Sequence, residues 1–568
     1  VTRPVRIGNS SGFYGDRASA ARELVEGGPL DVLTGDYLAE LTMLILWKAR
    51  RKDPSLGYAR TFLDHLEQVL GTCLDRGTKV VTNAGGLHPA GLAAEVAALA
   101  DRLGLHPRVA WVTGDDLLDQ HLSFTDLDTG EPVAGEPVTA NAYLGGWGIA
   151  AALEAGADVV VCPRVTDASL VVGPAAWWHG WARDDWDALA GAVAAGHVIE
   201  CGPQATGGNY AFFQEVTDRR YPGFPLAEVA ADGSSTITKQ PDTGGLVSVG
   251  TVTAQLLYEI GGADYLNPDV ITHFDTIRLA DDGPHRVRIS GVVGSPPTAT
   301  AKVAVTYEGG FRNTMTLVLT GLDLEAKAAR ATEQLFDVLG GRGSFSETDV
   351  RLLAHGADQA HLRVTVKDPE PTKVGRAFSD GVMQLLLGGY PGAHTLTPPT
   401  GASAYGVYVP ALIPQEQVHH VVVLPDGTHV PIAPTPPGPL RHVAEPHIRP
   451  ALSEEPTTLV PLGTIAGARS GDKGGNANVG LWVRSAPAYE WLAGFITVDR
   501  VRELLPEAAD LEVRLTWLPN LRAVNVVVVG LLGRGVAETA RPDPQAKSLG
   551  EHLRARLVDL PTRLVEEA

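Results

Sequence analysis

The chain has 568 residues, 44% of them hydrophobic and 20% charged, with a formal net charge of −20. That length exceeds one ordinary core and implies several domains. The acidic balance argues against a general nucleic-acid binder, which needs a basic surface, but leaves room for a local basic pocket that takes a small anion. Cys73, Cys162 and Cys201 form neither a disulfide framework nor a CxxC zinc pair, which points to a reducing, cytoplasmic setting. The opening VTRPVRIGNS lacks the apolar core of a signal peptide, and no run of about 18 apolar residues marks a membrane span.

The first half alternates short apolar runs with helical patterns. PVRIGNS breaks at Gly8, PLDVLTGD at Gly35 and Asp36, and TKVVTNAGG at Asn83. PRVAWVTGDD breaks at Gly114 and Asp115, and ADVVVCPRVTD near Arg164 and Asp167. Between them, Leu92, Val96, Leu99 and Leu103 share one helical face, with Pro89 suited to the first turn. Strands that are apolar throughout and separated by helices predict an α/β domain over residues 1–283, a parallel sheet with helices on both faces. In such a sheet Asp36, Asn83, Asp115 and Asp167 fall along one rim, where open α/β sheets bind ligands. The same residue types also serve as turn and cap chemistry.

From about Gly283 the pattern changes to alternating strands (HRVRISGVVG, ATAKVAVTYEGG, AHLRVTVKD) around the helix LEAKAARATEQLFDVLG. This predicts an α+β domain over 284–430. Residues 431–457 are Pro-rich without period and read as an exposed tether. Residues 458–568 run strand, strand, helix, strand, strand, helix, a small two-layer α+β domain.

Several stretches carry candidate chemistry. ARSGDKGGNANVG, residues 468–480, concentrates Arg469, Asp472 and Lys473 among glycines. It lacks the GxxxxGK[ST] spacing of a phosphate loop, and a strand rather than a helix follows it. It reads as a glycine-rich strand connection, either a charged hairpin tip or a site for a carboxylate or phosphate. Ser10 and Ser11 in GNSSGFYGD fit neither GxGxxG nor a GxSxG elbow; they are a polar turn, an anion cradle or nucleophiles. Asn83 and His88 in TNAGGLHPAG stand before a helix, where His88 is a candidate acid or base or a loop cap. In VIECGPQATGGNYAFF, Cys201 is a nucleophile or an inert buried thiol, and Gln204 and Asn209 are candidate amide donors to a carbonyl. No metal motif occurs, although Asp36, Asp115 and Asp167 leave room for Mg²⁺.

The segments IGNSSGFYGDR, DVLTGDYLAELTM, VTNAGGLHPAG, ADVVVCPRVTDASL, ECGPQATGGN and GGLVSVGTVTAQLLYEIG closely resemble the acyclic terpene utilisation family, AtuA type. ARSGDKGGNANVG and WLPNLRAVNVVVVGLLGRGV resemble the ferredoxin-fold domain that often follows it. The resemblance covers nearly the whole chain in order. It implies a role in breaking down branched acids as CoA thioesters, or in a related natural-product route. The resulting expectation is a homo-oligomeric, membrane-independent enzyme acting on a branched acyl-CoA or related carboxylic acid by hydration, dehydration or lyase chemistry. In it Asp36, His88, Asp115 and Asp167 serve acid–base or metal duties. Ser10, Ser11, Asn83, Arg164, Gln204 and Asn209 hold substrate, and Arg469 and Lys473 hold an anionic group such as a CoA phosphate. A non-catalytic ligand-binding or scaffold subunit of an acyl-CoA carboxylase pathway and a nicotinamide-dependent dehydrogenase are the alternatives.

Overall fold

The computed structural model describes residues 3–120, 122–133, 135–440 and 455–567. The chain divides into two compact units. One comprises Val1–Val305, Val409–Val536 and Gln545–Ala568, and the other Thr306–Tyr408 and Ala537–Pro544.

The first unit is built on an eleven-stranded sheet. Its centre is the five runs singled out above: β1 (Val5–Asn9), β2 (Val32–Gly35), β3 (Lys79–Thr82), β4 (Val109–Thr113) and β5 (Val159–Val161). They pair in parallel in the order β1-β2-β3-β5-β4, with registers such as Ile7↔Val32 and Val80↔Val159. The parallel reading holds for this centre only, because antiparallel strands extend both edges. β6 (Pro225–Val229) adds to β1, followed by β7 (Ser235–Lys239), β9 (Val287–Ser290) and β8 (Arg278–Asp281). At the other edge β10 (Val421–Val423) pairs with β4 and β11 (His429–Pro431) with β10.

Alternate strand residues face opposite layers. Val80, Val159 and Val161 pack with Leu24, Phe62, Leu66, Leu92, Val96 and Leu99 of three helices, Ala20–Glu26, Thr61–Glu67 and Pro89–Leu103. The other face takes helices Ser169–His179 and Trp186–Ile199, the second of which is buried from Ala188 to Ile199. Helix Pro89–Leu103 starts at its proline and ends at Gly104, whose φ of +69° suits glycine. Leu103, expected on its apolar face, is exposed, because it sits in the last turn beside that cap.

The same unit holds a four-stranded antiparallel sheet near the C-terminus: β12 (Ala466–Lys473), β13 (Asn476–Val483), β14 (Val513–Leu518) and β15 (Ala523–Val528), in the order β12-β13-β15-β14. Helices Ala486–Phe495, Val498–Leu504 and Leu549–Arg554 join its core, in which Val479, Leu481, Val524 and Val526 are fully buried. Residues 441–454 of the Pro-rich segment lie outside the described residues. The part before them is anchored: Ile432 N donates to His420 O (2.9 Å), Gly438 N to Pro297 O (3.0 Å), and Thr435 is buried.

The second unit is an antiparallel sheet on which helices Leu324–Val338 and Phe378–Gly388 pack. Lys367, buried in its sheet, pairs with Glu347 (2.8 Å) and Glu538 (2.6 Å), which ties the short segment 537–544 to it. Among the described residues no helix is long and apolar enough to cross a membrane.

Candidate functional site

The residues after the parallel strands form one hydrogen-bonded row. Asn83 Nδ2 donates to Asp36 Oδ1 (2.6 Å), while its Oδ1 accepts from Tyr37 N (2.7 Å). Asp115 Oδ2 accepts from Asn141 Nδ2 (2.8 Å) and Arg164 N (3.3 Å). The Arg164 guanidinium donates to Leu38 O (3.0 Å) and Asp167 Oδ1 (3.2 Å) and lies 4.4 Å from the centroid of the Tyr143 ring. Asn83 and Asp115 sit behind, whereas Asp36, Arg164 and Asp167 face a cavity of about 1550 Å³.

The four-stranded sheet supplies the cavity's far side. Lys473 pairs with Asn476, so SGDKGGN is a two-residue hairpin loop of Gly474 and Gly475, and Gly474 takes the φ of +63° that such a turn demands. Asp472 and Lys473 at this tip line the cavity. Arg469, four residues earlier, is spent inside the protein. It donates to Gln204 Oε1 and to Asn209 O (3.5 Å) and stacks 4.4 Å from the Tyr258 ring centroid. Lys547 reaches Tyr258 Oη, Glu259 (3.2 Å) and Asp472 (3.6 Å).

The turn bearing Tyr258 and Glu259 is held from the same sheet. Asn478 Oδ1 accepts from Glu259 N (2.8 Å), and its Nδ2 donates to Leu257 O and Asn525 Oδ1 (2.8 Å each). Asn525 Nδ2 donates to Ile260 O (3.0 Å). This clamp keeps Glu259 at a φ of +55°, a left-handed conformation that costs a non-glycine residue about 1–2 kcal/mol. Gly480 permits the approach, since a Cβ there would overlap that of Leu257.

Electrostatically the cavity combines carboxyls that retain protons with buried cations. Burial and the neighbouring Asp167 push Asp36 well above the carboxylate range, and burial with Asp167 and Glu259 does the same to Glu200. Burial also raises Asp167, although Arg164 opposes it. Asp472 is pushed up to about 7 by burial and Glu259, against the pull of Lys547. Asp115 behind the wall is likewise raised to about 7 by burial and Asp116. Glu40 goes the other way: burial is outweighed by Lys302 and Arg164, which lower it. Arg164 holds its proton more firmly than usual, because Tyr143, Asp167 and Glu40 outweigh burial.

The remaining expected residues lie apart from this chemistry. Ser10 Oγ donates to Thr34 O and Ser11 Oγ to Phe13 O (2.9 Å each), so both hydroxyls serve the turn. His88 caps helix Pro89–Leu103 and pairs with Ser55 O (3.2 Å). Gln204 and Asn209 border the cavity, but Gln204 already accepts from Arg469. Cys201 borders it too, with burial and Glu200 holding its thiol well above the usual range, as for an unreactive thiol. Among the described residues no three His, Cys, Asp or Glu side chains gather as metal ligands, and Asp36, Asp115 and Asp167 are divided among Asn83, Asn141 and Arg164.

Sequence reasoning missed Glu40, Tyr143, Glu200, Glu259, Lys302 and Lys547. For Glu200 the signal was present: an acid directly after the Ala- and Val-rich run 188–199 has nowhere to exit except the interior. Asp472 stood beside Lys473 in a stretch already singled out.

The model of the acyclic terpene utilisation family protein AtuA matches residues 5–424, and that of the AtuA ferredoxin-like domain matches residues 460–559. No curated protein and no solved structure matches the chain. The cavity is thus lined from both matched segments, and the chain belongs to the acyclic terpene utilisation family, AtuA type, carrying that family's ferredoxin-like domain.

Proposed function

We propose that the cavity is a catalytic centre that moves protons on a branched acid or its CoA thioester, adding or removing water beside the carbonyl group. The observation behind this reading is the coexistence, in one void, of proton-retaining carboxyls and a firmly charged Arg164. Dehydration needs a base for the proton next to the carbonyl, a cation for the enolate oxygen, and an acid that delivers a proton to the departing hydroxyl. Asp472, balanced near neutrality, suits the base; Arg164 suits the oxyanion; Asp36 or Asp167 suits the acid. The same groups in reverse add water. Membership of the acyclic terpene utilisation family supports a branched, terpenoid-type chain.

Purified protein incubated with branched 2-enoyl- and 3-hydroxyacyl-CoA thioesters is expected to interconvert at least one pair, read by mass spectrometry as gain or loss of one water. Asp472→Asn should lower kcat by about a hundredfold or more, the usual range for a general base. Binding without turnover of any thioester would point instead to a non-catalytic ligand-binding subunit.

A further inference from the structure

Two ammonium groups in the cavity make no hydrogen bond or ion pair among the described residues. Lys302, at the start of strand Thr300–Thr320, places its Nζ 4.8 Å from the Tyr143 ring centroid. Lys473, the last residue of β12, places its Nζ 5.5 Å from the Tyr265 ring centroid. Both line the cavity. Among the described residues neither has a hydrogen-bond acceptor or a carboxylate at ion-pair distance. The other cations that reach the void are engaged: Arg164 by Leu38 O and Asp167, Lys547 by Glu259 and Asp472, and Arg514 by Glu512 (2.7 Å).

An ammonium carries three donors, and both lysines are half-buried on the cavity wall, where those donors face the void. A ring face contributes only about 0.5–2 kcal/mol and accepts no strong hydrogen bond. The two charges also act on each other: after burial, Lys302 is the largest influence lowering the proton affinity of Lys473. Lys302 and Arg164 both face the Tyr143 ring, whose Oη donates to Glu40 Oε1 (3.4 Å), and Lys302, Arg164 and Lys473 all pull Glu40 down. In a chain of net charge −20, unpaired cations kept inside a cavity are a local reversal of the overall field.

We infer that Lys302 and Lys473 form the seat of a compact oxyanion, a carboxylate or phosphoryl group of the cavity's ligand. The seat is shared between the two matched segments, since Lys302 belongs to residues 5–424 and Lys473 to residues 460–559. The inference rests on the cavity being a substrate site and narrows the substrate to an acid that keeps an anionic group apart from its reacting carbon.

Isothermal titration calorimetry tests this on the full-length protein, with inorganic phosphate and 3-methylbutanoate as separate arms. Wild-type protein should bind at least one of them, and Lys302→Met and Lys473→Met should each weaken that binding by about tenfold or more. Preference for phosphate assigns the seat to the carrier end of a thioester, and preference for 3-methylbutanoate to a free acid group; both support the site. Binding of neither anion, or unchanged affinity in both variants, overturns it. Because either variant can misfold, wild-type protein is also acylated with acetic anhydride and mapped by peptide mass. Phosphate or 3-methylbutanoate should slow acylation of both lysines, and equal acylation with and without the anions overturns the inference. Neither readout involves turnover. An anion seat without turnover therefore refutes the catalytic reading alone, and turnover without an anion effect refutes this inference alone.

Discussion

Asn478 connects the ferredoxin-like sheet to the cavity, and removing its side chain exposes how much that connection contributes. The residue is fully buried. Its amide makes three hydrogen bonds of 2.8 Å, to Glu259 N, Leu257 O and Asn525 Oδ1. Each such bond contributes about 1 kcal/mol net, and in Asn478→Ala all three partners lose it without gaining water. The loss is therefore about 3 kcal/mol, of which about 2 kcal/mol falls on residues 257–260 and the rest on Asn525. The left-handed strain at Glu259 pulls the same way once its amide is released. At about 1.4 kcal/mol per factor of ten, opening of this turn should become roughly thirtyfold more frequent. Hydrogen exchange of the peptide covering 257–260 measures it directly. The helix Leu324–Val338, which belongs to the other unit, serves as the internal control. Unchanged exchange at 257–260 in a folded variant would refute the argument that this clamp shapes the cavity wall.

Other expectations concern titration and reactivity. The Asp115 carboxyl, raised to about 7, favours the folded state while protonated, so this contribution is present below about pH 4 and lost as pH rises through about 7. Asp115→Asn should flatten the fall in urea midpoint across that interval, and an unaltered slope would contradict the assignment. His197 is lowered to about 4 by burial; its ring lies 3.1 Å from Glu200 Oε1, yet neither ring nitrogen makes a hydrogen bond. Its contribution is present above about pH 6.5 and lost as pH falls through about 4. His197→Phe, placed beside Tyr265 and Phe274, should therefore lose less stability on acidification than the wild type, as read by thermal melts at pH 4–7. The Cys201 thiol should react with iodoacetamide far more slowly than a free thiol at pH 8, and rapid alkylation would show that burial does not control it.

The legible part of this protein was local. Each of the five central strands betrayed itself by an apolar run with a polar or glycine stop, and the stops at Asp36, Asn83, Asp115 and Arg164–Asp167 meet in the row along the cavity. The hairpin at 471–476 was readable from its glycines and from the strand after it. The antiparallel edges were not, because β6 pairs with β1 across more than two hundred residues and nothing in either strand names its partner. The charged side chains of the site failed for a related reason. Lys302 sits in an alternating strand where a lysine ordinarily marks the solvent face, and Glu259 and Lys547 follow helix or loop patterns that suit a surface equally well. The ferredoxin-like sheet, packed onto the turn at 257–260, sets Glu259 against Lys547, and Lys302 lies over the Tyr143 ring. His88, by contrast, carried the right chemistry in the right kind of loop, but its imidazole points to Ser55 O at the helix start.

The central claim is that one cavity, walled by the parallel-strand ends and the 471–476 hairpin, receives the substrate. A crystal structure of the protein soaked with a branched acyl-CoA tests it most directly. The acyl carbonyl is expected within hydrogen-bonding reach of Arg164 or Asp472, and an anionic group of the ligand between Lys302 and Lys473. A ligand bound elsewhere on the chain, with the cavity holding only water, would contradict it.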